Sequence, residues 1–168
     1  MPACRRSALC YNTAGQKETR HMDERTLFSI GHSNVPVGQL IERLRRHDIA
    51  IVCDVRSKPY SRYSPQFNRE AVAESLEAAG FAYRYFGDSL GGLGGEPAPS
   101  FERGIEQLVA LGEQNRVAFM CAEADYHGCH RQRLITPALI ERGVSVWHIM
   151  GDGSLERGAI APEQMRLF

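Results

Sequence analysis

Residues 49–57 read Ile49-Ala50-Ile51-Val52-Cys53-Asp54-Val55-Arg56-Ser57. An apolar run from Ile49 to Cys53 that breaks abruptly into charged and polar residues is the pattern of a parallel strand buried on both faces. Upstream, Leu27-Phe28-Ser29-Ile30 forms a second short run, stopped by Gly31-His32-Ser33-Asn34. Between the two, Pro36 suits a first helical turn, and Val37, Leu40, Ile41 and Leu44 follow at helical spacing.

The alternation continues downstream. A loop rich in Ser, Tyr and Pro runs to Gln66, and Asn68 is placed to cap a helix carrying Val72, Leu76 and Ala79, which Gly80 closes. Phe81 to Phe86 reads as a third strand, and the Gly- and Pro-rich stretch from Gly87 to Ser100 as a mobile loop. Phe101, Ile105, Leu108 and Leu111 mark a helix, and Val117 to Cys121 a fourth strand. A last helix begins near Cys129 and stops at Gly143, before a strand from Val144 to Ile149. Buried strands alternating with helices predict a single α/β domain, with a mostly parallel sheet of about five strands and helices on both faces. The expected divisions are a disordered tail or upstream extension over 1–25, the α/β domain over 26–150 and a flexible tail over 151–168. Met22 is a second candidate start.

The 168 residues suffice for one domain with a real core. Lys plus Arg and Asp plus Glu number 20 each, so bulk charge offers no argument for nucleic acid. Five cysteines form no secreted disulfide framework, and no apolar run is long enough to span a membrane. No signal-like apolar stretch follows Arg5 and Arg6, so a reduced cytoplasmic setting and no membrane partner are expected.

In open parallel sheets ligands bind outside the carboxyl ends of the strands, and the polar motifs fall there repeatedly. His32 and Ser33 follow strand one, and Asp54, Arg56 and Ser57 follow strand two. Gly91 and Gly92 lie beyond strand three. Cys121 and Glu123 close strand four, and Cys129, His130 and Arg131 open the next helix. Arg56 and Arg131 match the oxygens of a phosphate, or else pair with Asp54 and Glu123 as structural ion pairs. Asp54 and Glu123 are acid, base or nucleophile candidates, with bracing of the loop as the alternative for Asp54. Cys129, at a helix start beside His130 and Arg131, is a candidate nucleophile. A metal reading takes Cys121, Cys129, His130 and His32, in a spacing unlike the common zinc patterns, so no cofactor is assigned. Cys53 reads as core, and His47, His127 and His148 as surface or edge residues. Lys58, Tyr60, Arg62, Tyr63 and Phe67 interleave basic and aromatic groups, either to stack a base and hold a backbone or as a solvated loop with aromatics tucked beneath.

From Phe28 to about Gly153 the chain resembles the DUF488 family of bacterial and archaeal domains. The matching segments are Ile30-Gly31-His32-Ser33-Asn34, Asp54-Val55-Arg56-Ser57, Pro65-Gln66-Phe67-Asn68 and Leu90-Gly91-Gly92. Most specific is Cys121-Ala122-Glu123 with Cys129-His130-Arg131 behind it. The resemblance implies a compact α/β fold with its site at these motifs, and supplies no reaction. Asn68 joins the binding candidates through this match. Pro137 departs from it and is expected to kink or restart the last helix. At the carboxyl terminus, Gln164-Met165-Arg166-Leu167-Phe168 resembles the peptide that bacterial DNA-processing proteins insert into the sliding clamp, with Gln164, Leu167 and Phe168 as anchors.

Three function classes remain open. The first is an enzyme hydrolysing a glycosidic or phosphate bond in a nucleotide or DNA, in a DNA-repair or processing context. The second is a non-catalytic nucleotide or nucleic-acid binding module. The third is thiol or metal chemistry, since Cys53-Asp54-Val55-Arg56 resembles rhodanese-like domains without their usual active-site loop.

Overall fold

The computed structural model describes residues 25–92 and 95–160. Gln164, Leu167 and Phe168 lie outside the described residues. Six strands form one sheet in the order β3-β2-β4-β1-β5-β6. They are β1 (Thr26–Gly31), β2 (Ile51–Asp54), β3 (Ala82–Tyr85), β4 (Val117–Cys121), β5 (Ser145–Ile149) and β6 (Leu155–Arg157). β1 to β5 pair in parallel, and β6 adds an antiparallel edge on β5.

The mostly parallel α/β fold is as the sequence predicts, with one strand more. The extra strand falls where a tail was expected: Leu155 pairs with Ile149, and the Gly158 amide donates to the Val146 carbonyl. An edge strand is held by backbone hydrogen bonds and carries one buried face at most, so it leaves little hydrophobic period to read. The expected mobile loop after β3 likewise contains a short helix, Gly87–Leu90, which buries Leu90.

The remaining helices are numbered with that one as α3: α1 (Val37–Arg46), α2 (Arg69–Ala78), α4 (Phe101–Gln114) and α5 (Thr136–Glu141). α1 buries Leu40 and Leu44, and α2 buries Val72 and Leu76, against Phe28, Ile30, Val52, Ala118 and Met120 on one sheet face. α4 and α5 bury Ile105, Leu108, Ala138 and Leu139 against Cys53, Val117, Phe119 and Cys121 on the other. Each of the fully buried Leu, Ile and Val side chains contributes about 1.5–3 kcal/mol of transfer free energy. Gly80 ends α2 at φ +94°, a conformation that costs a residue with a Cβ.

The connection from β4 to α5 is not one helix. A π-helical turn, Arg131–Ile135, precedes α5, and Pro137 sits in the first turn of α5. Proline lacks the amide donor and clashes with the preceding turn, so the helix restarts there.

Because β1, β2 and β4 run parallel, their carboxyl ends meet on one rim. α1 and α2 follow β1 and β2 on one face, while the chain leaving β4 crosses to the other. That divergence opens a crevice at the end of β4, where ligands of open α/β sheets bind.

Candidate active site

Two sets of polar side chains flank the carboxyl end of β4. The first lies toward α1 and α2. Asp54, fully buried, accepts the Arg56 backbone amide at 3.1 Å and Arg56 Nε at 2.8 Å through Oδ1. Through Oδ2 it accepts Arg56 Nη2 at 2.6 Å and the Tyr83 hydroxyl at 2.7 Å. Arg56 Nη1 donates to the Phe67 carbonyl at 2.8 Å and to His32 Nε2 at 3.0 Å. His32 stacks on Phe67 with ring centroids 4.1 Å apart, and its Nδ1–H donates to the Ser33 carbonyl. Burial, helped by the nearby Arg56 charge, lowers the His32 pKa to about 4, so the ring is neutral near pH 7.

His32, Arg56 and Phe67 form one wall of a cavity of about 180 Å³ lined also by Ser33, Lys58, Tyr60, Ser61, Ser64 and Ala122. The loop that closes it is braced by Asn68, whose Oδ1 accepts the Ser61 amide at 2.7 Å. Asn68 does occupy the cap position of α2, but its side chain makes no capping bond. Phe67 is tucked beneath the loop, as one sequence alternative had it, whereas Tyr60 and Tyr63 are 58% and 72% exposed.

The second set lies toward α5. Cys121 ends β4, and the loop 122–128 returns to place Cys129 and His130 beside it. Both thiols reach Glu123 Oε2, at 2.8 Å from Cys121 Sγ and 3.1 Å from Cys129 Sγ. His130 Nδ1 lies 3.6 Å from Cys121 Sγ and 3.7 Å from Cys129 Sγ. Its Nε2 meets the Val55 carbonyl at 3.0 Å; a carbonyl only accepts, so Nε2 carries the proton and Nδ1 turns its lone pair to the sulfurs. The Cys121 hydrogen bond and the Arg131 charge hold the Cys129 thiol well below the usual range, against the effect of its burial. Cys121 is pushed the other way by the same Cys129 contact, by burial and by Glu123. A cavity of about 200 Å³ opens on this set, lined by Gly92, Gly95, Glu123, Gly128, Cys129, His130, Arg133 and Leu134.

The two arginines do not share an anion. Arg131 is 1% exposed; its Nε donates to Cys129 Sγ at 3.4 Å, Nη1 to Ser29 Oγ at 3.3 Å and Nη2 to the Glu123 carbonyl at 2.6 Å. It holds the Glu123 loop in place from inside and lines neither cavity. Asp54 is likewise committed to Arg56 and Tyr83. Ser57 and Gly91 pack on each other: a Cβ on Gly91 would stand 2.3 Å from Ser57 Oγ. Gly92 has a structural reason as well, since a Cβ there would lie 2.3 Å from His130 Cβ and push that ring off the sulfurs. Of the candidates, Glu123, Cys129, His130 and Gly92 face one cavity, with Cys121 behind them, and His32, Ser33 and Arg56 face the other.

The sequence reading missed a buried support beneath Arg131. His148, expected at the surface or edge, is fully buried under the Tyr126 ring at 3.7 Å, accepts the Ser29 hydroxyl and donates to Gln132 Oε1 at 3.1 Å. Burial, with the Arg131 charge, lowers its pKa to about 4. A serine and a histidine inside apolar strands were the available signal, since buried polar groups need partners. A larger, shallow groove of about 590 Å³ lies between β3, α3 and α4, but its lining holds no thiol or histidine.

The family model described as "Domain of unknown function DUF488" matches residues 36–98 and 94–136, together more than half of the chain. The chain belongs to that family. No curated protein and no solved structure matches it. The match to DUF488 covers both cavities except for His32 and Ser33, which precede it on β1's exit. Among the described residues of this DUF488 protein, no helix is long and apolar enough to cross a membrane.

Proposed function

We propose that this DUF488 protein is an enzyme that hydrolyses a glycosidic or phosphate bond in a nucleotide or in DNA. Glu123 is the group that takes a proton from the attacking water and returns one to the leaving group. The carrying observation is that consecutive residues, Ala122 and Glu123, line different cavities. One substrate can therefore rest in the basic and aromatic cavity while its reacting bond meets Glu123 across the β4 rim. Neither cavity alone reaches the ~300 Å³ of an ordinary ligand cleft, whereas the two together do.

The first cavity supports this substrate class. Lys58 supplies positive charge, and Ser61 and Ser64 supply hydroxyls suited to a phosphate. Tyr60 and Tyr63 are the large apolar side chains left exposed among the described residues, and both sit on this loop, where a base can stack. In the same reading, Gln164, Leu167 and Phe168 dock the protein on a DNA sliding clamp, which raises the local concentration of DNA for a chain with no net charge.

The test is incubation of the full chain with nucleotides and single-stranded DNA, with products separated by mass. Turnover is expected, falling by at least about 100-fold in Glu123→Gln with ligand binding retained. Saturable binding with no turnover in the wild-type protein would replace the enzyme by a binding module.

A further inference from the structure

We propose that Cys121, Cys129 and His130 bind a single zinc ion, with Glu123 facing its open side. The three donor atoms lie within 4.8 Å of one another. In a tetrahedral site with Zn–S near 2.3 Å and Zn–N near 2.0–2.1 Å, sulfur and nitrogen stand about 3.5 Å apart. The observed separations from His130 Nδ1 are 3.6 and 3.7 Å. Both sulfur–nitrogen pairs are thus already spaced as edges of a coordination tetrahedron.

A second, independent feature is the posture of His130. Its Nε2–H is anchored on the Val55 carbonyl at 3.0 Å, which leaves Nδ1 as the lone-pair atom aimed between the two sulfurs. Metal-binding histidines are held this way, with the far N–H on a carbonyl or carboxylate that fixes tautomer and ring plane. The Arg131 Nε bond to Cys129 Sγ is the matching outer contact on a thiolate ligand. Gly92 keeps the opposite side of the ring clear for this placement.

Charge and ligand type select the ion. Two thiolates and one imidazole suit zinc, and loss of two thiol protons balances the dication. Glu123 then balances Arg131. Three protein ligands leave the fourth position toward the 200 Å³ cavity, which is the open arrangement of catalytic rather than structural zinc. Catalytic use of the ion rests on the hydrolytic reading above: a water on zinc passes one proton to Glu123 and becomes the attacking hydroxide. Binding of the ion does not depend on that reading.

The experiment uses the full chain, stripped with chelator under reductant and titrated with Zn²⁺ and, separately, Co²⁺. One equivalent of Zn²⁺ per chain is expected, and Co²⁺ should give thiolate charge-transfer absorption with intense visible bands of tetrahedral geometry. Cys129→Ser and His130→Ala should each weaken Zn²⁺ by more than the roughly 10–100-fold typical of outer-contact changes. Cys53→Ser and the double variant Cys4→Ser/Cys10→Ser should leave binding intact. Because a ligand variant can fail to fold, the wild-type Co²⁺ spectrum stands as a separate readout. Absence of stoichiometric Zn²⁺ binding, an octahedral Co²⁺ spectrum, or binding that follows Cys4 and Cys10 would overturn the site. Turnover that depends on Glu123 without any metal would remove the ion from the mechanism and leave the hydrolytic proposal standing; stoichiometric metal without turnover would leave the site standing and remove the hydrolytic proposal.

Discussion

The two sides of the β4 rim use similar residue types to opposite ends. On the α1–α2 side, Asp54 and Arg56 spend nearly every polar atom on each other, on Tyr83, on His32 and on a backbone carbonyl. On the α5 side, two sulfurs, a carboxylate oxygen and an imidazole lone pair all point at one small volume. A saturated ion pair positions a wall; convergent lone pairs with an open face can hold and transform a ligand. The residue types alone do not separate these roles, because Asp, Glu, Arg and His serve in both.

Breaking the saturated side should cost the fold. Asp54→Ala leaves the Arg56 guanidinium buried without its carboxylate, and a loss of about 3–5 kcal/mol is expected in chemical denaturation. A loss under 1 kcal/mol would mean that Arg56 is free to serve a ligand. Glu123→Gln is the contrast: its side chain is on an exposed residue, so stability should move by less than about 0.5 kcal/mol while turnover drops by 100-fold or more. If denaturation and activity fell together, Glu123 would belong with the braces.

Acid should separate the two regions from their supports. His32 and His148 both titrate near 4 in the folded protein against 6.5 for the free side chain. The unfolded chain therefore takes up protons that the native rings reject. Stability is complete above about pH 6.5 and falls as pH drops toward 4, by at most about 3 kcal/mol for each ring. Denaturation midpoints across that range check it, and His148→Gln, which keeps a polar partner for Ser29, should flatten the slope by about half. The smallest effect is at the loop. Tyr60→Ala should weaken nucleotide or single-strand binding about tenfold and leave the midpoint unchanged. An unaltered affinity would return Tyr60 to the role of a solvated loop residue.

Much of this was legible before folding. The runs at Leu27–Ile30, Ile49–Cys53 and Val117–Cys121, with helical spacing between them, announce a parallel sheet, and the residues closing each run mark the rim. Boundaries shifted by a residue or two, and β6 went unseen because edge pairing leaves no period. The zinc-ligand reading from sequence included His32, which the fold sends to the other face. Asp54, Glu123 and both arginines were equal candidates in sequence, and burial with hydrogen bonding sorted them.

The chain's own order of residues determined the layered architecture and the end of the sheet at which polar groups collect, because period and strand punctuation are local properties. Only the tertiary structure decided which polar group faces which. Side chains alternate between faces at a strand end, and Arg131 reaches back to Ser29 while His130 is pinned by Val55. Those partners come from distant segments, and their pairing depends on sheet order and on the path of the loop after β4, neither of which any local pattern encodes.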